Sequence, residues 1–184
     1  MKPLEELVRQ RLPDVMRKIE RDNIGAAVTE LNVYEKALIY YYSIEGYEQL
    51  NEDLRDGKSN EYEAYLNEAL DKLPNYERTI FRGADLTETQ IDECKKAFSE
   101  GEFIIKYAFT SASKSYYIAQ QFSKGSVVFE IKSQTGKAIG QLSFYQQSQN
   151  ESEILFKSKS VFRVLGVDDS QHFTTIFLEE IYNE

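Results

Sequence analysis

A chain of 184 residues can bury one substantial core but is short for two full domains, so a single domain over 1–184 is expected. Its 41% hydrophobic and 29% charged residues are ordinary for a globular protein and exclude disordered and collagen-like classes. A formal net charge of −9 disfavours a broad grip on nucleic acid, and the single cysteine, Cys94, excludes an internal disulfide and a cysteine-built metal site.

The start, Met1-Lys2-Pro3-Leu4-Glu5-Glu6, has no apolar stretch behind a basic end, and no run reaches the roughly 18 apolar residues that a membrane span needs. The expectation is synthesis in the cytoplasm, with no signal peptide and no membrane partner; export would need a dedicated secretion system. Leu7, Val8, Val15, Ile19, Ile24, Leu31, Tyr34, Leu38, Tyr41 and Tyr42 recur at spacings near three and four, the helical period, with Gly25 and Gly46 as punctuation. A further helical stretch over 60–70 stops near Leu73-Pro74, because the residue before proline disfavours the helical region. From Arg78 onward, short runs rich in Val, Ile, Phe and Tyr predict strands near 78–83, 103–109, 126–132, 152–156, 161–167 and 173–181. Between the first two, a helix is predicted over 87–99, with Thr87 as its cap three residues before Gln90. Helices over about 1–75 followed by strands over about 76–184 indicate an α+β domain rather than alternating βαβ units.

Missing residues prune the chemistry. His172 is the only histidine, which excludes two-histidine acid–base catalysis and histidine-rich zinc sites, and its loop position before the last strand suits a surface residue. Neither GxGxxG nor GxxxxGK[ST] is present. Three segments remain. Thr79-Ile80-Phe81-Arg82-Gly83-Ala84 puts an arginine at the end of an apolar strand; a planar guanidinium suits a pyrophosphate, and Gly83 would let a ligand approach the backbone, although an Arg-Gly at a strand end is also a common surface feature. In Tyr107-Ala108-Phe109-Thr110-Ser111-Ala112-Ser113 a strand runs into small hydroxylated residues, which can orient an acid or simply form a turn. The third, from Gln141 to Phe156, is a polar loop that leads into Glu151-Ser152-Glu153. In an extended strand those two carboxylates face one side about 6 to 7 Å apart, an arrangement that repels unless it is solvated, kinked or used.

In this order Arg, Ser-x-Ser and Glu-x-Glu resemble the arginine-serine-glutamate class of mono-ADP-ribosyltransferases, which includes bacterial toxins and vertebrate ecto-enzymes. The resemblance runs from Tyr42 through Ile44-Glu45-Gly46-Tyr47-Glu48-Gln49-Leu50-Asn51 and Leu54-Arg55, past Ala69-Leu70 and Leu73-Pro74, to Gly136-Lys137-Ala138-Ile139, Leu142-Ser143 and Phe162-Arg163-Val164. It implies an N-terminal helical layer, a core of two packed, mostly antiparallel β-sheets, and NAD+ as substrate in the cleft between them, with no metal.

The resemblance also implies roles. Arg82 resembles the arginine that holds the NAD+ phosphates, and Gly83 the backbone contact to the nicotinamide amide. Ser111 resembles the serine that orients the catalytic acid. Glu153 resembles the acid that hydrogen-bonds the nicotinamide ribose, and Glu151 the acid that engages the incoming guanidinium, which marks arginine specificity. Phe122, eleven residues after Ser111, resembles an aromatic near the nicotinamide, and Tyr47 and Asn51 are expected to contact the cofactor from the helical layer. Ala112 stands where the family usually has threonine. Phe144, Tyr145 and Ser148 fall in the expected target-recognition loop.

The implied function is transfer of ADP-ribose from NAD+ to an arginine of a target protein by a monomeric toxin or effector, a role compatible with a cognate immunity or delivery partner. An NAD+ glycohydrolase is the nearest enzymatic alternative, since water can replace the acceptor. A non-catalytic acidic binding or antidote protein is the alternative of another class. No histidine lies near the Arg82 strand, which disfavours a His-Tyr-Glu transferase and a two-histidine tRNA phosphotransferase.

Overall fold

The computed structural model describes residues 2–124, 126–144, 153–170 and 173–182. The helical layer comprises α1 (Leu4–Arg11), α2 (Pro13–Asp22), α3 (Val33–Tyr41), α4 (Tyr47–Arg55) and α5 (Glu61–Asp71). Local chemistry fixes their ends. Pro13 opens α2, where a missing N–H costs nothing, and Asn23 closes it in the left-handed region at φ 55°. Asn32 and Glu35 form a reciprocal capping box at the start of α3. A π-helical turn, Tyr42–Gly46, joins α3 to α4 without an intervening loop. Gly46 is required there, because a Cβ would lie 2.6 Å from the Tyr41 ring.

The β-rich part contains β1 (Thr79–Ala84), α6 (Glu88–Glu100), β2 (Phe103–Lys106), β3 (Thr110–Ser113), α7 (Tyr116–Phe122), β4 (Val127–Lys132), β5 (Lys137–Ala138), β6 (Glu153–Phe156), β7 (Ser160–Asp168) and β8 (Thr174–Ile181). Helix α6 begins with the Thr87–Gln90 capping box and ends at Gly101 in the left-handed region. The strands form one eight-stranded ladder in the order β2-β7-β8-β4-β1-β3-β6-β5, antiparallel except for β4 with β8. The α+β class and the mostly antiparallel pairing are as expected. In place of two separate sheets, however, the described strands make a single sheet that folds over on itself. Strands β6 and β7 stand five places apart in that order, which in a flat sheet would be roughly 24 Å. Yet Phe156 of β6 and Phe162 of β7 meet edge to face with ring centroids 5.2 Å apart. The fold-over encloses a core of Ile80, Phe129, Ile131, Ile154, Phe156, Phe162, Ile176 and Leu178, closed by Cys94 and Ala97 of α6.

The joint between the two halves is narrow, because β1 and β3 share one register pair, Phe81 with Ser113. Two expected strand limits change accordingly. The run predicted over 103–109 ends as a strand at Lys106, and the hydroxylated residues expected to follow a strand are themselves β3. Alternation misleads there: β2 is an edge strand whose outward residues Phe103 and Ile105 are as apolar as buried ones, so the pattern does not show where pairing stops.

A second core joins the helical layer to this sheet through Leu38, Ile39, Leu50, Leu66 and Leu70 against Phe109, Ile139, Leu142 and Leu155. Among the described residues no helix is long and apolar enough to cross a membrane. Helix α7 lies so close to β1 that a Cβ on Gly83 would sit 1.9 Å from the Ala119 carbonyl oxygen and 2.6 Å from the Ser123 nitrogen. Main chain cannot yield as a side-chain tip can. Gly83→Ala should therefore destabilise the protein by roughly 1–3 kcal/mol or more, read as a lowered urea midpoint; a wild-type midpoint would contradict this packing.

Candidate active site

The cleft opens where β1 and β3 part. Its cavity of about 350 Å³ is lined by Arg82 and Gly83 of β1, Ser111 of β3, Glu153 at the start of β6, Phe122 of α7, and Tyr42, Tyr47 and Asn51 of the helical layer. The sequence-expected residues that fall in the described part, apart from Phe144, thus converge from five elements, and the π-turn adds Tyr42. Phe144 follows Ser143 at the neck of the loop and is exposed. Glu151, Tyr145 and Ser148 lie outside the described residues, as does His172.

Because β1 and β3 share so little ladder, the Ser111 carbonyl is free to accept a hydrogen bond from Arg82 Nη1. The guanidinium thus takes up a main-chain acceptor that a longer ladder would have used. Burial pulls the Arg82 pKa below its ordinary value, while Tyr42 and Glu153 act in the opposite direction. Ser111 and Ser113 share a face of β3. Ala112, on the other face, packs into the core between the sheet halves. The Ser113 hydroxyl is engaged at the turn into α7, accepting from the Ser115 N–H at 3.1 Å, and Ser115 in turn caps the helix.

Glu153 pairs in register with Ser113 and has its carboxyl raised by burial, opposed by hydrogen bonds from Ser143 and Ser111 and by the charge of Arg82. The Ser143 hydroxyl donates to Glu153 Oε2 at 2.7 Å. Tyr42, 2% exposed, has its phenol pushed up to about 12, chiefly by burial, so it is neutral at physiological pH. Asn51 Nδ2 donates to the Tyr42 hydroxyl at 3.0 Å, and Asn51 Oδ1 accepts from the Phe109 N–H at 3.1 Å. This one amide pins the helical layer to the strand-entry segment. Tyr47 packs its ring against that of Tyr42 at 6.5 Å.

Sequence reasoning assigned no role to Tyr42, Ser43 or Ser143. Tyr42 and Ser143 belong to the matched segments, but a tyrosine on a helical period reads as core and a serine before a loop reads as a turn former. Gly46 was the only sequence sign of the π-turn.

The family model for NAD:arginine ADP-ribosyltransferases matches residues 30–184. Mav of Mycobacterium avium and Vis of Vibrio splendidus, both named NAD(+)-arginine ADP-ribosyltransferases, are 34% and 28% identical, over 71% and 96% of this chain. The chain spans 16% of the length of Mav and 76% of that of Vis. Among solved structures, the ADP-ribosyltransferase HopU1 of Pseudomonas syringae pv. tomato superposes with a TM-score of 0.76 at 21% identity over 92% of this chain and 87% of its own, a likeness of fold. Vis superposes with a TM-score of 0.71 at 27% identity, over 97% of this chain and 86% of its own. With the family model matching most of its length, the chain belongs to the NAD:arginine ADP-ribosyltransferase family.

Proposed function

We propose that this chain cleaves NAD+ at the bond between nicotinamide and ribose and transfers the ADP-ribose to an arginine side chain of another protein. The observation that carries this reading is the gathering of Arg82, Ser111 and Glu153 around one cavity, an arginine and a half-buried acid joined by a serine. A cavity of about 350 Å³ lies within the usual range for small-molecule sites, and its guanidinium and carboxylate suit a substrate that carries a pyrophosphate and develops positive charge at its ribose. Two relatives support the same chemistry: Vis has been solved in complex with agmatine, a small guanidino compound, and Exoenzyme S of Pseudomonas aeruginosa bound to carba-NAD.

In this reading Arg82 holds the pyrophosphate, and Gly83 and Phe122 flank the nicotinamide. When the glycosidic C–N bond breaks, its electron pair leaves with nicotinamide and positive charge develops at the ribose. Glu153, already desolvated and fixed by hydroxyl donors, stabilises that charge without reorganising at the moment of reaction. A guanidinium nitrogen of the target then bonds to the ribose carbon, and Glu151 takes the proton released. Tyr47 lines the cofactor side, and Asn51 fixes Tyr42 beside it. Phe144, Tyr145 and Ser148 meet the target. The whole is read as one catalytic domain of a toxin or effector that acts as a monomer after delivery into another cell.

Purified protein incubated with labelled NAD+ and agmatine should label the acceptor, and Glu153→Gln should abolish both transfer and NAD+ hydrolysis. Turnover at the wild-type rate in that variant would overturn the site assignment. Glu151→Gln should lower transfer by at least about tenfold more than hydrolysis, as expected for a base that serves only the acceptor. Equal loss of both would remove Glu151 from that role. Nicotinamide release with no labelled acceptor would instead favour a glycohydrolase.

Glu153 also sets a pH-dependent stability. Burial raises its folded-state pKa above the ordinary 4.5, so its contribution to stability is full below that value and is lost as pH rises through the folded-state value. At neutral pH the ionised carboxylate therefore weighs against the fold. Glu153→Gln should melt a few degrees above wild type at neutral pH, with the gap closing as pH falls toward 4.5. A gap that widens on acidification would reverse the sign of the burial effect.

A further inference from the structure

We propose that Ser143 is a second positioning residue for Glu153, holding the carboxylate in its reactive orientation; this rests on the reading of Glu153 above. The Ser143 hydroxyl donates to Glu153 Oε2 at 2.7 Å, and Ser143 is 2% exposed, so water does not compete for the bond. An ionised carboxylate only accepts, and an O–H donor to it makes a charge-assisted bond that favours the ionised form.

The position of that hydroxyl is decided by the fold. On one side, the turn Gly140–Leu142 buries Leu142 completely in the core beneath the helical layer. On the other, the Phe144 N–H donates to Ser43 Oγ at 3.0 Å, and the Ser43 hydroxyl donates to the Tyr40 carbonyl at 2.8 Å within the helical layer. Ser43 sits in the π-turn and is 3% exposed. Glu153 is tied back to the same neck through its main chain, its carbonyl accepting from the Ile139 N–H at 3.0 Å. Ser143 and Glu153 are therefore fixed to one another, and Phe144 to the π-turn. The acid is held from both directions, by Ser111 on β3 and Ser143 before the loop.

Among the described residues, the charged or titratable groups facing Glu153 are Arg82 of β1 and Tyr42 of the π-turn, with Arg55 of α4 acting on Arg82. The experiment is the pH profile of NAD+ hydrolysis without acceptor, for wild type, Glu153→Gln, Ser143→Ala and Ser143→Thr, each checked for folding by thermal melting. Ser143→Ala should lower kcat roughly tenfold with KM for NAD+ within about twofold, and move the acid limb of kcat upward by about half a unit or more, because the carboxylate loses a donor. Ser143→Thr, which keeps the hydroxyl, should return the limb toward wild type. If Ser143→Ala does not fold, Ser143→Cys replaces it, filling the volume with a weak donor. An inactive Glu153→Gln beside a Ser143 variant with wild-type kcat and an unmoved acid limb would overturn this role alone, whereas turnover in Glu153→Gln would overturn the reading of the site beneath it.

Discussion

Arg82 brings a permanent charge to a point ringed by protein, and such a charge is tolerable only where its N–H groups and its field are answered. The parting of β1 from β3 supplies the answer. One register pair, Phe81 with Ser113, keeps the sheet continuous, and beyond it the Ser111 carbonyl is free to receive the guanidinium. Glu153, across the same gap, recovers from its hydroxyl donors and from the positive charge part of what burial takes from it. A longer ladder between these strands would close the cleft and leave both charges without their partners.

The helical layer completes this opening. Its α3-to-α4 transition passes through a π-turn, which delivers Tyr42 to the cavity and Ser43 to the loop neck from adjacent residues. In a regular helix neighbours point about 100° apart around the axis, and Gly46 lets this turn pack against the Tyr41 ring. Asn51 then clamps Tyr42 to the main chain at Phe109, so the layer and the sheet hold the cavity wall jointly.

Gly83 illustrates how one residue can serve a different need from the one its setting suggests. Beside an arginine at a strand end it reads as room for a ligand. The cavity does reach it, but the space its Cβ would fill belongs to α7, whose Ala119 and Ser123 backbone presses on β1. That contact sets Phe122 at the cavity wall, so the absence of a side chain shapes the cleft by admitting a helix.

By itself the sequence determined the features that depend on local chemistry: the helix opened by Thr87, the helical stretch that stops before Leu73-Pro74, the change from helical to strand periodicity near Arg78, and the ordered Arg, Ser-x-Ser and Glu-x-Glu segments on which the family resemblance rests. These are legible because capping, proline and glycine act over a few residues and alternation over one strand. Only the tertiary structure decided that the strands form one sheet folded on itself, that Ala112 turns to the core while Ser111 turns to the acid, and that Tyr42, Ser43 and Ser143 belong to the site. Those outcomes depend on contacts between residues up to about a hundred positions apart, as between Ser43 and Phe144, where any serine or tyrosine in the chain has the same local signature and only the packing selects which one meets a carboxylate or a main-chain N–H.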